Sequence, residues 1–493
     1  MESDSEQRAE RARTDDLAGA VARLLPALDE FLRFEGPDRA LERALWQPRL
    51  EEPLPERGAG AGAVLELLAE VVIPAGLRIG APGFCGWVTT GPTVVPAAAG
   101  LAASVAAAQK WWQSPGNFLE AQALRWLGDL IGLSERFTGV FVSGGAQANL
   151  VGLAAARQHA GERLGFDPSA DGVAGFQEPR VYSPEHVHHV VLRALGVLGL
   201  GRSALVKIAC DRSGRPDLDR LDDAIRDDLR EGRVPIAVAA SAGDVNTGRI
   251  DPIDRLREVA HAHGLWLHVD GAYGGFGVLD ERVADQFGDL GQVDSLAIDP
   301  HKWLAAPIGC GAGFVRDGDL LARAFALEPS DYVDVKVPPD VALPSVFDSL
   351  GAGDPDHSLE HSAPSRGVAV WAILKEIGAA GMRARVRRHL DCARRVAERV
   401  RAHPDLELLA EPVLSICCFR CHPERIRSSG ELERLNRAIL AEVRARGRSI
   451  PSSTRVHNKL AIRPCFIGAR TGLAEADLLV DEVLAAAARL LQN

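Results

Sequence analysis

From about residue 81 to 375, short β-rich runs alternate with helical stretches, and no other feature constrains the fold of this chain as tightly. The runs are GVFVSG (139–144), RVYSP (180–184), PIAVAAS (235–241), LWLHVD (265–270), DSLAID (294–299) and GAGFVR (311–316). Such a rhythm predicts an α/β domain with a mainly parallel sheet. The runs are almost continuously apolar, as strands must be when helices cover both faces. Residues 1–80 read instead as helices and loops, with GAGAGA (58–63) as a flexible break. A long helix is predicted over 366–402, with Gly378 and Gly381 marking a joint. After it, LSICCFRC and KLAIRP read as strands, and ELERLNRAILAEVRARG and EADLLVDEVLAAAARLL as helices. The expected organisation is a helical segment (1–80), a large α/β domain (81–375) and a small α+β domain (376–493).

Composition removes several function classes. A formal net charge of −11 leaves no basic footprint for the phosphates of nucleic acid. Eight cysteines in 493 residues do not make a disulfide framework. The charged N-terminus MESDSEQRAERARTDD has no apolar core of the kind a secretory signal needs. TVVPAAAGLAASVAAA (93–108) is short and rich in Ala and Gly, and is expected as a buried helix rather than a membrane span. The expectation is a cytoplasmic chain with reduced thiols and no membrane partner.

Polar and reactive residues cluster at the C-terminal ends of the predicted strands, where open α/β sheets bind ligands. SGGAQANL (143–150) is a small-residue turn opening a helix. There Gly144, Gly145 and Ala146 would let backbone N–H groups approach an anion, or form a plain tight turn. Asp270 ends LWLHVD; it could cap the next turn, or hold a ring nitrogen protonated as in pyridoxal phosphate (PLP) sites. Lys302 lies in DPHKW, in a chain with only six lysines, and a lysine of lowered pKa can form a Schiff base. YSPEHVHH carries His186, His188 and His189. No carboxylate or cysteine stands near them at ligand spacing, so no metal is expected, and a ring stacked on a planar cofactor is the better reading for one of them. Cys418-Phe-Arg-Cys421-His422 matches the c-type haem string but is expected to be a packed strand.

In order and spacing, GAPGFCGWVTT, SPGNFLE, SGGAQANL, YSPEHVHHVVLRA, ASAGDVNTGRIDPI, HVDGAYGG, DPHKW and SRGVAVW resemble the PLP-dependent group II amino-acid decarboxylases. This is the family of aromatic-L-amino-acid, tyrosine and glutamate decarboxylases. The resemblance spans about 80–375, and LSICCFR and KLAIRPCF continue it. It implies PLP-dependent transferase fold type I (aspartate aminotransferase-like), PLP as cofactor, an amino-acid substrate and a homodimer with the site at its interface. It also implies roles. Lys302 matches the Schiff-base lysine, Asp270 the partner of the pyridine nitrogen, and His188 the stacking histidine. Ala272 would pack against the ring. Gly144, Gly145 and Ala146 match the phosphate-binding backbone, with Asp299 and His301 beside them. Tyr332 resembles the loop tyrosine that reprotonates Cα, and Arg366 an arginine near the substrate.

The chain also departs from the family. Asp244 stands beside the cofactor position where many relatives carry Thr, and would need a partner such as Arg249 or the substrate amine. Trp87 and Val88 replace an aromatic pair on the substrate side, where Thr90 also lies, and Gln109, Lys110 and Trp111 differ too. The Pro/Gly/Asp-rich insert 336–362 is expected to be a loop over the site. The implied reaction is decarboxylation of an L-amino acid to the amine and CO2 through a Lys302 Schiff base. Decarboxylation-dependent oxidative deamination to an aldehyde, or C–S or C–C lyase chemistry, stays open as the alternative.

Overall fold

The computed structural model describes residues 16–35, 43–106, 108–109, 115–325 and 357–492. Three helices come first: α1 (Leu17–Arg33), α2 (Arg43–Leu50) and α3 (Gly60–Leu67), the last passing into a π-helical turn at Leu68–Val72. Asp16 caps α1 by accepting from the Gly19 amide at 2.8 Å. None of the three helices buries a residue within this chain. The guanidinium groups of Arg78 and Arg470 stand 5.0 and 4.9 Å from the Phe34 ring centroid, a cation–π clamp that ties α1 to the C-terminal part.

β1 (Phe84–Cys85), α4 (Val94–Val105) and α5 (Pro115–Ile131) follow. Next come β2 (Thr138–Val142), α6 (Gly145–Arg163), β3 (Pro179–Pro184), α7 (His189–Val197), β4 (Leu205–Ile208), α8 (Leu218–Arg230) and β5 (Val234–Ser241). α9 (Ile253–Ala262), β6 (Trp266–Asp270), β7 (Ser295–Ile298), β8 (Gly311–Val315) and α10 (Gly318–Phe325) complete the large part. Its sheet has the order β2-β8-β7-β6-β5-β3-β4. β8 runs antiparallel to both its neighbours; the pairs from β7 to β4 are parallel. Successive strand residues feed opposite cores. Phe141, Val238, Leu267 and Ile298 join one cluster; Val140, Val142, Ala237, Ala239 and Ala297 join the other. The sheet is covered on both faces, as the continuous apolar runs require.

The chain continues through α11 (Gly367–Ala402), β9 (Leu406–Ala410), β10 (Cys418–Cys421), α12 (Ser429–Arg446), β11 (Ile450–Val456), β12 (Lys459–Arg463) and α13 (Leu473–Gln492). The second sheet is β1-β11-β12-β10-β9. Here the structure departs from the sequence reading in four ways. β1, read as part of the large domain, pairs parallel with β11 in the second sheet. The edge strand β4 and the strands β9 and β11 were not anticipated; β4 has four residues, and β11, IPSSTRV, contains a proline and polar residues. The joint in α11 is Gly378 alone (φ 63°, ψ 178°), and Gly381 stays helical. Finally, α4 forms where a buried helix was expected, yet only Pro96 is buried, and Val94, Leu101 and Val105 are exposed. Among the described residues, no other element covers that face.

Candidate active site

The C-terminal ends of β5, β6 and β7, the N-terminus of α6 and the turn after β7 converge on one place. That turn carries Lys302. It is closed by the Lys302 amide donating to the Asp299 carbonyl (3.0 Å) and the Ala306 amide to that of Pro300 (3.1 Å). Trp303 anchors it: the fully buried indole stacks on Tyr273 at 5.5 Å and donates to His389 Nδ1 at 2.9 Å. Lys302 is thereby turned from the core towards Asp299, with Nζ 2.8 Å from Oδ2. Burial opposes a charge on Lys302, but Asp299, and Asp270 behind it, outweigh that and raise its pKa, the reverse of the lowered pKa expected from the sequence. Asp299 is itself buried, and its Oδ1 has no hydrogen-bond partner.

Asp270 ends β6, and its Oδ1 accepts from the Ala272 amide at 3.1 Å. His188 precedes α7 as its N-cap, Nδ1 accepting from the Val190 amide at 3.3 Å. Burial lowers the His188 pKa against the opposing pull of Asp270, which favours a neutral ring. The His189 ring lies tilted against His188, with centroids 4.2 Å apart.

α6 begins at Gly145 after Gly144, with no side chain capping its first turn. A Cβ on Gly145 would lie 2.6 Å from Asp299 Oδ2 and 3.0 Å from Ala272 Cβ. Only glycine lets the helix N-terminus come this close. Gly144 (φ 152°) lies against His301, a Cβ there falling 3.3 Å from its Cε1. His301 Nδ1 donates to the Cys310 carbonyl at 2.7 Å. The structure therefore brings Lys302, Asp299, His301, Gly144, Gly145 and Ala272 into one cluster, with Asp270 and His188 beside Lys302 electrostatically.

Three sequence candidates are placed differently. Asp244 gives its carboxylate to its own loop. It accepts from the amides of Asn246 (2.8 Å), Thr247 (3.0 Å) and Arg249 (2.9 Å) and from the Thr247 hydroxyl (2.5 Å), so the Arg249 contact is through its amide and not the expected guanidinium. Arg366 forms a two-pronged pair with Glu360, at 2.8 Å on each prong, and donates to the Gly309 carbonyl at 2.7 Å. It is not a free cation awaiting a substrate carboxylate. Trp87 is 59% exposed and adopts φ 49°, while its carbonyl accepts from Arg463 at 2.9 Å. Val88 packs on the core and Thr90 is buried. Tyr332, Lys110, Trp111 and residues 336–356 of the insert lie outside the described residues. Cys418 and Cys421 are buried in β10, as a packed strand requires.

The sequence reading missed a buried polar chain under α6. The Trp266 indole donates to Ser295 Oγ (2.8 Å), which bonds His268 Nδ1 (2.8 Å); His268 Nε2 donates to Asn149 Oδ1 (2.8 Å) and Asn149 Nδ2 to the Gly145 carbonyl (2.7 Å). Burial takes the His268 pKa down to about 4, and the neutral ring protonated on Nε2 satisfies both neighbours. The signal was present: His268 lies two residues before Asp270, on the same face of one strand.

Residues 64–422, well over half of the chain, match the family described as "Pyridoxal-dependent decarboxylase conserved domain". The chain belongs to this family. It is a PLP-dependent carboxy-lyase. An aromatic-L-amino-acid decarboxylase of Bacillus atrophaeus is 28% identical over 430 residues, 87% of this chain and 85% of that protein. An L-2,4-diaminobutyrate decarboxylase of Rhizobium meliloti (strain 1021) is 30% identical over 377 residues, 75% and 71% respectively. The fold matches that of an Oryza sativa TDC solved with PLP and tryptamine, with a TM-score of 0.86 over 97% of this chain and 98% of that one, at 22% identity. The residues present fit the cofactor. An amine, two carboxylates, a neutral imidazole and an uncapped helix N-terminus meet where a Cβ on Gly145 would close the space.

Proposed function

We propose that this enzyme decarboxylates an L-amino acid to the corresponding amine and CO2, using the cluster around Lys302. The observation that carries the reading is the convergence of Lys302, Asp299, Asp270 and His188 beside the glycine-lined start of α6. PLP, when bound, supplies a ring onto which the electron pair left by a departing carboxylate delocalises. Lys302 would hold it. Asp299, 2.8 Å from Nζ, would orient the amine for that role. Asp270 would keep the ring nitrogen protonated. His188, held neutral by burial, would stack without adding a second cation. The first-turn amides of α6, at Gly145 and Ala146, would bind the phosphate, with Gly144 and His301 shaping the turn. Asp244 supports this site by holding the loop after β5. Tyr332 is proposed as the proton donor to Cα on resemblance alone.

We infer further that two copies pair, covering the apolar face of α4 and the outer faces of α1 to α3. A cytoplasmic location is supported by eight unpaired cysteines. Among the described residues, no helix is long and apolar enough to cross a membrane.

The test is to incubate the PLP-loaded enzyme with a panel of aromatic, acidic, diamino and sulfur-bearing amino acids and to identify products by mass. An amine one CO2 lighter than its parent is expected. An aldehyde, or a cleaved fragment with ammonia, would replace the reading with the alternative chemistry. In the same assay Asp270→Ala retains part of its PLP but loses turnover by roughly tenfold to a hundredfold, the equivalent of one charge-assisted hydrogen bond. Full activity in that variant would remove Asp270 from the mechanism.

A further inference from the structure

Cys210, His186 and Asp251 form a hydrogen-bonded line outside the Lys302 cluster. In sequence Asp251 and Cys210 lie 65 and 24 residues from His186, and folding brings both to its ring. Asp251 follows β5 and is buried; its Oδ2 accepts from the Ser241 amide at 2.7 Å and its Oδ1 from His186 Nε2 at 2.9 Å. This fixes the imidazole with Nδ1 towards Cys210 Sγ, 3.6 Å away. The cysteine is also held. Cys210 bridges to Pro216 across a turn closed by the Asp211 amide on the Arg215 carbonyl (2.9 Å), and the Glu185 amide binds the Ile208 carbonyl (3.0 Å). All eight cysteines lie among the described residues; seven are buried, and Cys210 is the partly exposed one.

The electrostatics suit a thiol that needs a base. Burial first, with the Glu185 and Asp251 carboxylates adding, raises the Cys210 pKa against a Glu185 backbone hydrogen bond and Arg249, so the thiol rests protonated. Burial works against a charge on His186. Its bond to Asp251, with Asp244 adding, outweighs burial and the opposing Arg249, which makes the imidazole a stronger base. Nucleophile, base and orienting carboxylate are in the order that activates a side-chain nucleophile.

We propose that Cys210 is a reactive thiol, with His186 as its base and Asp251 as the residue that positions that base, and that it takes low-molecular-weight disulfides. Acyl chemistry is disfavoured because the Cys210 amide is given to Glu185 Oε1 at 3.3 Å and is not free to hold an oxyanion. Disulfide exchange needs only a thiolate and a proton for the leaving sulfur. His186 Nδ1 takes the thiol proton and Cys210 Sγ attacks one sulfur of the reagent. The reagent S–S bond breaks, its electron pair leaves on the second sulfur, and that thiolate recovers the proton from Nδ1. The products are a mixed disulfide on Cys210 and one free thiol; the reagent is the oxidant, and no other is needed. The inference does not rest on the reading of the Lys302 cluster.

The test uses the PLP-loaded enzyme and glutathione disulfide, following uptake by intact mass and locating it by peptide mapping. One glutathionyl group per chain on Cys210 is expected. His186→Gln slows uptake at least about tenfold in the folded enzyme, while in denaturant both proteins react at one rate. Cys210→Ser, which leaves the His186–Asp251 pair in place, abolishes uptake. Equal rates for the folded parent and His186→Gln would reduce Cys210 to an ordinary exposed thiol and overturn the proposal, as would uptake at another cysteine.

Discussion

His389 shows how a single buried side chain couples the Lys302 turn to pH. Its Nδ1 accepts from the Trp303 indole at 2.9 Å and its Nε2 donates to the Gly468 carbonyl at 2.9 Å, an arrangement only the neutral ring can make. Burial first, then the charges of Arg388 and Arg385, takes its pKa down to about 3 from the ordinary 6.5. The folded state thus binds the proton less tightly than the unfolded chain does. Stability from this group is complete above pH 6.5 and is lost as pH falls towards 3, on the order of 5 kcal/mol in all. His389→Asn, which keeps an acceptor for Trp303, should melt at a lower temperature near neutrality. It should also lose less of its melting temperature than the parent between pH 6.5 and 4. Parallel curves from thermal melts across that range would show that His389 does not carry the dependence.

Secondary-structure elements were legible where their residues repeat a period and illegible where they do not. The six anticipated strands of the large sheet are all present, because apolar runs bounded by small or polar residues specify buried strands locally. β4 escaped notice because LVKI is only four residues long, too short for its pattern to be told from the flanking loop. The long helix was legible, and so was the role of Gly378 within it. Gly378 has φ 63°, and a Cβ there would meet nothing within 4 Å, so glycine is required by backbone conformation and not by space. Gly378→Ala should therefore cost about 1–3 kcal/mol from backbone strain alone, because this positive-φ, extended-ψ conformation is essentially confined to glycine. Chemical denaturation measures it; an unchanged midpoint would mean that the kink relaxes into continuous helix.

At the largest scale, two sheets are fastened together by charges and by exchanged segments. β1 leaves its sequence neighbours to join the second sheet, and Arg463 of β12 holds the carbonyls of Trp87 (2.9 Å), Val245 and Asn246 (3.3 Å) together. Among the described residues, the surface of α4 remains apolar and uncovered, with Val94 60% and Val105 58% exposed. A second copy of the chain is the proposed cover. Sedimentation should give a dimer at assay concentrations, and Leu101→Glu on this face should shift the enzyme towards monomer. A parent enzyme that sediments as a monomer while fully active would remove the pairing.

Local chemistry decided much of this protein before folding is considered. The α/β rhythm, the small-residue turn at Gly144–Ala146, and Asp270 and Lys302 at strand ends are properties of short segments, each readable because a few neighbouring residues suffice to impose it. Tertiary packing decided the partners. Asp244 turned inwards to its own loop, Arg366 was taken by Glu360, and His186 met Cys210 and Asp251 from 24 and 65 residues away. A buried polar group must find a hydrogen bond, but which group supplies it depends on elements that only the folded chain sets side by side.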